Sequence, residues 1–121
     1  TIKRSGVLVR DGGGQPISTG IKADLRVPYA GPPTGWEIVA NASGSIVIDV
    51  WKDTYANFPP TVADTITGTE KPTLSSASKN QDLTLSTWTT SITAGDWLRF
   101  NVDSASTVTR IALSIMVDAS S

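Results

Sequence analysis

The chain contains neither cysteine nor histidine, and each absence excludes a class of chemistry. Without cysteine there is no disulfide framework, no thiol nucleophile and no thiolate metal ligand. Without histidine, catalytic triads that use an imidazole and imidazole metal sites are excluded. A metal ion would have to be held by oxygen ligands alone, and no cofactor is expected.

Charge and long apolar runs are also scarce. The 121 residues include 10 Lys and Arg against 11 Asp and Glu, which gives a net charge of −1. The basic residues are scattered along the chain, so we expect no nucleic-acid partner. No apolar stretch approaches the about 18 residues that span a bilayer, so we expect neither a signal peptide before the domain nor a membrane partner.

Residues that favour strands and turns are abundant instead. Ser and Thr make up roughly a quarter of the chain, and there are 10 Gly and 7 Pro. This composition favours an all-β fold. We expect residues 1–18 to form a lead-in strand and a Gly-rich connector, and residues 19–121 to form a single β-sandwich domain.

Alternating apolar residues mark most of the expected strands. Residues 20–30 alternate as a strand with one apolar face, which includes Tyr29. Pro28 indicates that this strand ends near a sheet edge or a bend. Residues 36–40 and 45–52 flank the turn-like sequence of residues 41–44, which predicts a hairpin. Further strands are expected at 7–9, 83–85, 97–102 and 108–117, and a short one at 72–74, whereas the polar residues 75–81 favour a loop.

These seven or eight short strands, with no substantial helix, predict an antiparallel two-sheet β-sandwich that is jelly-roll-like. Three segments then resemble one family: GSIVIDVWKD at 44–53, KPTLSSASKNQD at 71–82, and WTTSITAGDWLRFNVDSASTVTRIALSIMV at 88–117. They resemble a small jelly-roll-like domain of bacteriophage tail-fibre, tail-spike and other virion structural proteins. The matching positions are Gly44, Ser45, Asp49, Lys52, Asp53, Lys71, Pro72, Thr73, Leu74, Ala94, Gly95, Asp96, Leu98, Phe100, Val102 and Asp103.

With residues 19–40, which look like the opening pair of strands of that family, the resemblance covers about residues 19–117. It implies a non-catalytic virion module, extracellular when mature, that contacts a host surface or neighbouring subunits. Modules of this kind are often trimeric, so the resemblance also implies a homo-oligomer. The shared motifs are turn glycines and core positions, and they transfer no ligand residues.

The residues that suggest ligand binding lie mostly after the strand at 45–52. Flat aromatic rings stack on sugar rings, and neighbouring polar side chains hydrogen-bond the hydroxyl groups. Asp, Asn and Lys side chains accompany aromatic rings within residues 51–57. The predicted glycan-binding residues are Trp51, Lys52, Asp53, Tyr55, Asn57 and Trp88.

Two other interpretations explain the same aromatic residues. Tyr55 and Phe58 would fold the Pro59-Pro60 loop back as a lid on the sandwich, with Trp51 beneath it. Alternatively, the aromatic side chains would be buried between subunits, because exposed aromatic patches often mark interfaces. The sequence favours the lid over the glycan site.

Three carboxylates offer the remaining route to chemistry. Asp49, Asp53 and Asp64 would have to approach one another to act as the acid and base of a glycosidase, or to bind Ca²⁺. Each also has an ordinary structural explanation in a strand or a turn, so neither an enzyme nor a metal site is expected.

The expected function is host-surface adhesion, with contact to a cell-surface glycan, or fibre assembly. The alternative is a carbohydrate-binding module of a polysaccharide-active enzyme.

Overall fold

The computed structural model describes residues 2–11, 15, 17–27, 30–88 and 92–119, the first strand by its backbone. Within these residues the fold is built from six β-strands and one 3₁₀ turn, and every strand pair is antiparallel. The all-β antiparallel prediction is therefore confirmed. The strands are β1 Ile2–Asp11, β2 Gly20–Arg26, β3 Pro33–Asp53, β4 Thr73–Asp82, β5 Trp97–Ser106 and β6 Arg110–Ala119, and the 3₁₀ turn is Val62–Asp64.

All six strands belong to one hydrogen-bonded sheet. Its order is β1-β6-β3-β5-β2, and β4 pairs with β3 outside this path. The pairing of β1 with β6 runs without a register shift from Ile2 opposite Ala119 to Asp11 opposite Arg110. Residues 12–14 and 16 of the Gly-rich connector, and the predicted positions of Pro28 and Tyr29, lie outside the described residues.

The long strand β3 connects the two parts of the sheet. Residues 33–40 pair with β6, residues 45–53 pair with β5, and β4 pairs with both parts. The predicted hairpin is wrong, because residues 41–44 carry the strand onward instead of reversing it. A Cβ at Gly44 would lie 2.5 Å from Val108 Cγ2 and 2.7 Å from Thr107 Oγ1, so the backbone passes very close to the connection between β5 and β6.

The number of strands differs from the predicted seven or eight for two reasons. The two strands of the expected hairpin are one strand, and residues 83–85 are not a strand. The polar segment 75–81, expected to be a loop, belongs to β4. Since β4 pairs only with β3 among the described strands, most of its side chains face solvent and it needs no apolar alternation.

Alternate residues of the strands form a single buried core. Both parts of β3 contribute, with Ile38 from the first part and Ile48 and Val50 from the second, all fully buried. No α-helix among the described residues covers these apolar positions, so the sheet and its loops must fold over one another to bury them. A β-sandwich fits this arrangement.

Candidate functional site

The predicted site lies where the second part of β3 runs into the segment 54–72. Residues 49, 51 and 53 of β3 project to the face opposite the core residues Ile48 and Val50, because strand side chains alternate. We call this the outer face. In the register, Asp53 lies opposite Trp97 of β5, and Trp97 lies opposite Arg26 of β2. These three residues therefore form a row across three strands.

The carboxylate of Asp49 attaches the segment that follows the loop to β3. Asp49 is only 2% exposed, and its Oδ1 accepts hydrogen bonds from Thr65 Oγ1 at 2.6 Å and Thr67 Oγ1 at 2.8 Å. Trp51 Nε1 donates to its Oδ2 at 3.0 Å. Burial raises the pKa of Asp49, but the hydrogen bonds from Thr65, Thr67 and Trp51 and the positive charge of Lys71 outweigh it, so the pKa is lowered overall.

Lys71 extends this attachment to β5. Its Nζ lies 3.7 Å from Asp49 Oδ2 and 2.7 Å from Asp103 Oδ2, and Asn101 Nδ2 donates to Asp103 Oδ1 at 2.6 Å. The hydrogen bond to Asp103 is the main reason why the pKa of Lys71 is raised. The charge of Lys71 is thus occupied by two carboxylates of the domain.

The indoles of Trp51 and Trp88, both predicted to stack on sugar, are buried at 8% and 4% exposure. Trp51 donates its N–H to Asp49, and Trp88 Nε1 donates to the carbonyl oxygen of Glu70 at 2.8 Å. Both rings therefore pack within the domain, and neither offers an open face to a ligand in this structure.

Phe58 folds back from the loop onto the outer face. Its ring meets Trp97 edge to face, with centroids 5.8 Å apart, and the guanidinium carbon of Arg99 lies 4.9 Å from its centroid. Arg99 forms a bidentate ion pair with Asp24, in which Nε donates to Oδ1 at 2.8 Å and Nη2 donates to Oδ2 at 3.1 Å. Phe58 thus folds back as the lid hypothesis requires, but its ring packs on Trp97 and Arg99, and it remains 38% exposed.

Tyr55 behaves in the opposite way. Its side chain is 78% exposed, the largest exposed fraction among the exposed large apolar residues of the described chain. The lid hypothesis is therefore wrong for Tyr55. The turn that carries it is closed by backbone hydrogen bonds from Asn57 to Thr54 at 3.2 Å and from Phe58 to Tyr55 at 3.3 Å.

The polar residues of the predicted site lie on both sides of this turn. Asn57 is exposed, whereas Lys52 and Asp53 are half-buried. Lys52 Nζ lies 3.4 Å from Asp96 Oδ2, and Asp53 Oδ1 accepts a hydrogen bond from the Thr54 amide at 2.8 Å. Tyr55 and Asn57 are thus the most accessible members of the predicted set.

Each of the three carboxylates considered for catalysis has a local structural role. Asp49 accepts the hydrogen bonds described above, Asp53 caps the turn at Thr54, and Asp64 Oδ2 accepts the Thr61 amide at 2.7 Å at the start of the 3₁₀ turn. Among the described residues, no group of three or more Asp and Glu side chains is arranged to hold a metal ion.

Glu70 is a central residue that sequence reasoning did not identify. Its Oε1 accepts hydrogen bonds from the Ser86 amide at 2.7 Å and from the Thr87 hydroxyl at 2.7 Å, and its carbonyl oxygen accepts the indole N–H groups of Trp36 and Trp88. The hydrogen bonds from the Thr87 hydroxyl and amide are the main reason why the pKa of Glu70 falls to about 2. Its partners lie up to 34 residues away, so no local pattern reveals them.

Comparisons with known proteins identify no relative, since no family model, no curated protein and no solved structure matches this chain. In the part of the chain that the structure describes, no helix has the length and apolarity needed to cross a membrane.

Proposed function

We propose that this domain is a non-catalytic recognition module that contacts a host cell-surface glycan through the loop at residues 53–58. The observation that carries the proposal is the exposure of Tyr55 on a turn whose surroundings are fixed to the sheet. An aromatic ring held in open solvent supplies a stacking surface. Asp53 and Asn57 supply hydrogen-bonding groups close to it in the chain.

Preorganisation supports this proposal. Phe58 is held against Trp97 and Arg99 on one side of the turn, and the Asp49 hydrogen bonds fix residues 65–67 on the other. A loop that is already ordered loses little conformational entropy when it binds, which favours affinity. Tyr55 is therefore presented by a supported turn.

The non-catalytic part of the proposal is supported by the carboxylates. Asp49 is buried and accepts four close hydrogen bonds, one of them from the Val50 amide at 2.9 Å. Its lowered pKa disfavours the protonated form that a general acid needs. A glycosidase that used Asp49 as its acid would have to break this hydrogen-bonded arrangement.

We further propose that the module belongs to the surface of a phage virion, as part of a tail-fibre or tail-spike protein, and that it functions as a trimer. This placement is supported by the sequence resemblance over residues 19–117. Exposed apolar side chains of the same region, Tyr55, Phe58 and Val62, also suit a contact between subunits. Fibre assembly is therefore the second candidate function of this surface.

Glycan-array screening of the purified domain tests recognition. We expect Tyr55→Ala to weaken binding to any glycan detected by about tenfold or more, which corresponds to about 1.4 kcal/mol, and Tyr55→Phe to retain most of it. Leu83→Ala is the control, because Leu83 is an exposed apolar residue outside both the proposed contact loop and the proposed subunit contact. Equal binding by the wild type and Tyr55→Ala would show that the loop is not the site.

Light scattering separates the assembly hypotheses. A stable trimer that binds no glycan would identify an assembly module and contradict adhesion by this domain. A monomer that binds soluble polysaccharide would favour the carbohydrate-binding module of an enzyme. A trimer that loses its association in Tyr55→Ala while remaining folded would assign the exposed ring to a subunit contact.

A further inference from the structure

The outer face carries a pair of hydrogen-bond donors, next to the proposed contact loop, for which the described residues supply no acceptor. Three of the four tryptophans donate their indole N–H to the protein: Trp36 and Trp88 to Glu70, and Trp51 to Asp49. The fourth, Trp97, is half-buried, and its N–H has no acceptor among the described residues. Trp97 is also the residue on which Phe58 of the loop packs.

The second unused donor is Arg26, directly opposite Trp97 in the register of β2 and β5. Arg26 is exposed, and within the described part of the chain its guanidinium makes neither an ion pair nor a hydrogen bond. Its Nη2 lies beside the turn before β5, 3.7 Å from the place that a Cβ of Gly95 would occupy. The guanidinium therefore lies at the Trp97 end of β5.

The other cations around this region differ from Arg26 in being paired. Arg99 pairs with Asp24, Lys52 with Asp96, and Lys71 with Asp49 and Asp103. Asp24 lies two residues from Arg26 on β2, but both of its carboxylate oxygens are occupied by Arg99. The one carboxylate in the row is that of Asp53, on the opposite side of Trp97.

We propose that Arg26 and the indole N–H of Trp97 form a carboxylate subsite, so that the glycan bound by this module contains an acidic sugar. The guanidinium of Arg26 would bind the carboxylate through bidentate hydrogen bonds, and the indole N–H of Trp97 would donate one more. The inference rests on the proposed glycan-binding function and specifies the class of its ligand.

The spacing of the row suits this ligand. Directly opposite residues on neighbouring antiparallel strands are about 5 Å apart, so the row from Arg26 over Trp97 to Asp53 spans about 10 Å. That length accommodates an acidic sugar and its neighbour in the chain. The acidic sugar would lie at the Arg26 end, and the neighbouring sugar would lie toward Asp53 and Tyr55.

The test uses sodium glucuronate as probe, with glucose and sodium acetate as comparison ligands. The indole N–H of each tryptophan gives a separate proton–nitrogen NMR signal, and Trp97→Phe assigns the signal of Trp97. We expect glucuronate to shift the Trp97 signal saturably, glucose to leave it in place and acetate to bind more weakly than glucuronate.

Arg26→Gln should weaken the glucuronate response by about tenfold or more, because it removes the charge-assisted hydrogen bonds to the carboxylate. The glucuronate response of Arg26→Lys should fall between those of the wild type and Arg26→Gln. Lysine keeps the positive charge but lacks the planar guanidinium that can donate two parallel hydrogen bonds. Arg110→Gln is the matched control: it removes an exposed arginine on β6, which is separated from β5 by β3. Its response should equal that of the wild type.

A Trp97 signal that stays in place throughout the glucuronate titration, or that responds equally in Arg26→Gln, overturns the subsite. An equal response to acetate overturns the acidic-sugar assignment. If the array finds a neutral glycan whose binding requires Tyr55 but not Arg26, the proposed function stands and this inference fails. If glucuronate binds at Trp97 while no glycan on the array depends on Tyr55, the subsite stands and the loop proposal fails.

Discussion

Asp49 shows how one residue fixes the relation between a strand and the segment that covers it. It interrupts the otherwise apolar run 46–51 of β3, and its buried carboxylate faces the hydroxyls of Thr65 and Thr67, the Trp51 indole and Lys71. Several donors around one carboxylate make the charged form favourable even when water is excluded. Segment 65–67 is therefore attached through a charge that is fully hydrogen-bonded.

We expect Asp49→Asn to lower the free energy of unfolding by about 2–4 kcal/mol, as measured by urea denaturation. The new amide NH₂ would replace Oδ2 and would face two donors, the Trp51 N–H and the Lys71 ammonium group. Asp53→Asn is the control, because Asp53 makes a local hydrogen bond to the Thr54 amide. Its cost should stay below about 1 kcal/mol, and equal costs in the two variants would contradict the role given to Asp49.

Glu70 predicts a specific dependence of stability on pH. Hydrogen bonds from Thr87 lower its pKa from 4.5 to about 2 in the folded protein. A carboxylate whose pKa is lower in the folded state contributes stability above its unfolded pKa, and this contribution is lost as the pH falls through the folded pKa. We therefore expect Glu70→Gln to flatten the curve of unfolding free energy against pH between pH 4.5 and about 2.

Glu37→Gln provides the comparison for this pH series, since Glu37 is exposed and its side chain makes no hydrogen bond to the described residues. If both glutamine variants change the pH curve equally, the effect comes from net charge and the Thr87 hydrogen bonds are not its cause. Unfolding monitored by circular dichroism from pH 6 to pH 2 distinguishes the two results.

At the scale of the elements, β3 depends on a glycine where its pairing changes from β6 to β5. A methyl group at Gly44 would overlap Val108 and Thr107, with contacts of 2.5 and 2.7 Å. We expect Gly44→Ala to destabilise the fold by about 1–3 kcal/mol through this overlap. Ser43→Ala is the control, because it changes the exposed neighbouring residue and should have little effect on stability. Thermal denaturation of the two variants tests whether the contact of Gly44 with Val108 and Thr107 is the cause.

The sequence is informative about elements with one buried face. Residues 97–102 and 108–117 alternate because one side of each strand lies in the core, and the structure has residues 97–102 in β5 and residues 110–117 in β6. Residues 75–81 have no such alternation, because pairing with β3 imposes the strand while their side chains stay in water. Residues 41–44 are of types that favour turns, but the strand pairing of the residues on both sides keeps the chain extended.

The candidate site is less predictable for a related reason. The residue types near Tyr55 identify a region with suitable side chains, but burial depends on residues far away in the chain. Trp51 forms a backbone bridge with Thr65 and donates its indole N–H to Asp49, and Trp88 donates to the Glu70 carbonyl. The pairing of Arg26 with Trp97 joins positions 71 residues apart, which no local pattern indicates.

At the scale of the whole molecule, the single core predicts a cooperative transition. Both parts of β3 contribute to the same buried cluster, and three of the four indoles contact Asp49 or Glu70. Tryptophan fluorescence therefore reports on the attached segments, whereas far-ultraviolet circular dichroism reports on the strands. We expect the two urea transitions to coincide, as in two-state unfolding; an earlier fluorescence change would show that segment 65–72 detaches first.

The uninterrupted pairing of β1 with β6 has a mechanical consequence. Ile2 lies opposite Ala119, so the outer ends of the two strands are neighbours at one edge of the sheet. A force that pulled these ends apart would act on the pairs in succession, from Ile2 and Ala119 toward Asp11 and Arg110. Tension applied in this direction would break the hydrogen bonds of β1 one pair at a time, so the strand would separate at a low force. Strands sheared along their length resist a larger force, because all their hydrogen bonds carry it at once.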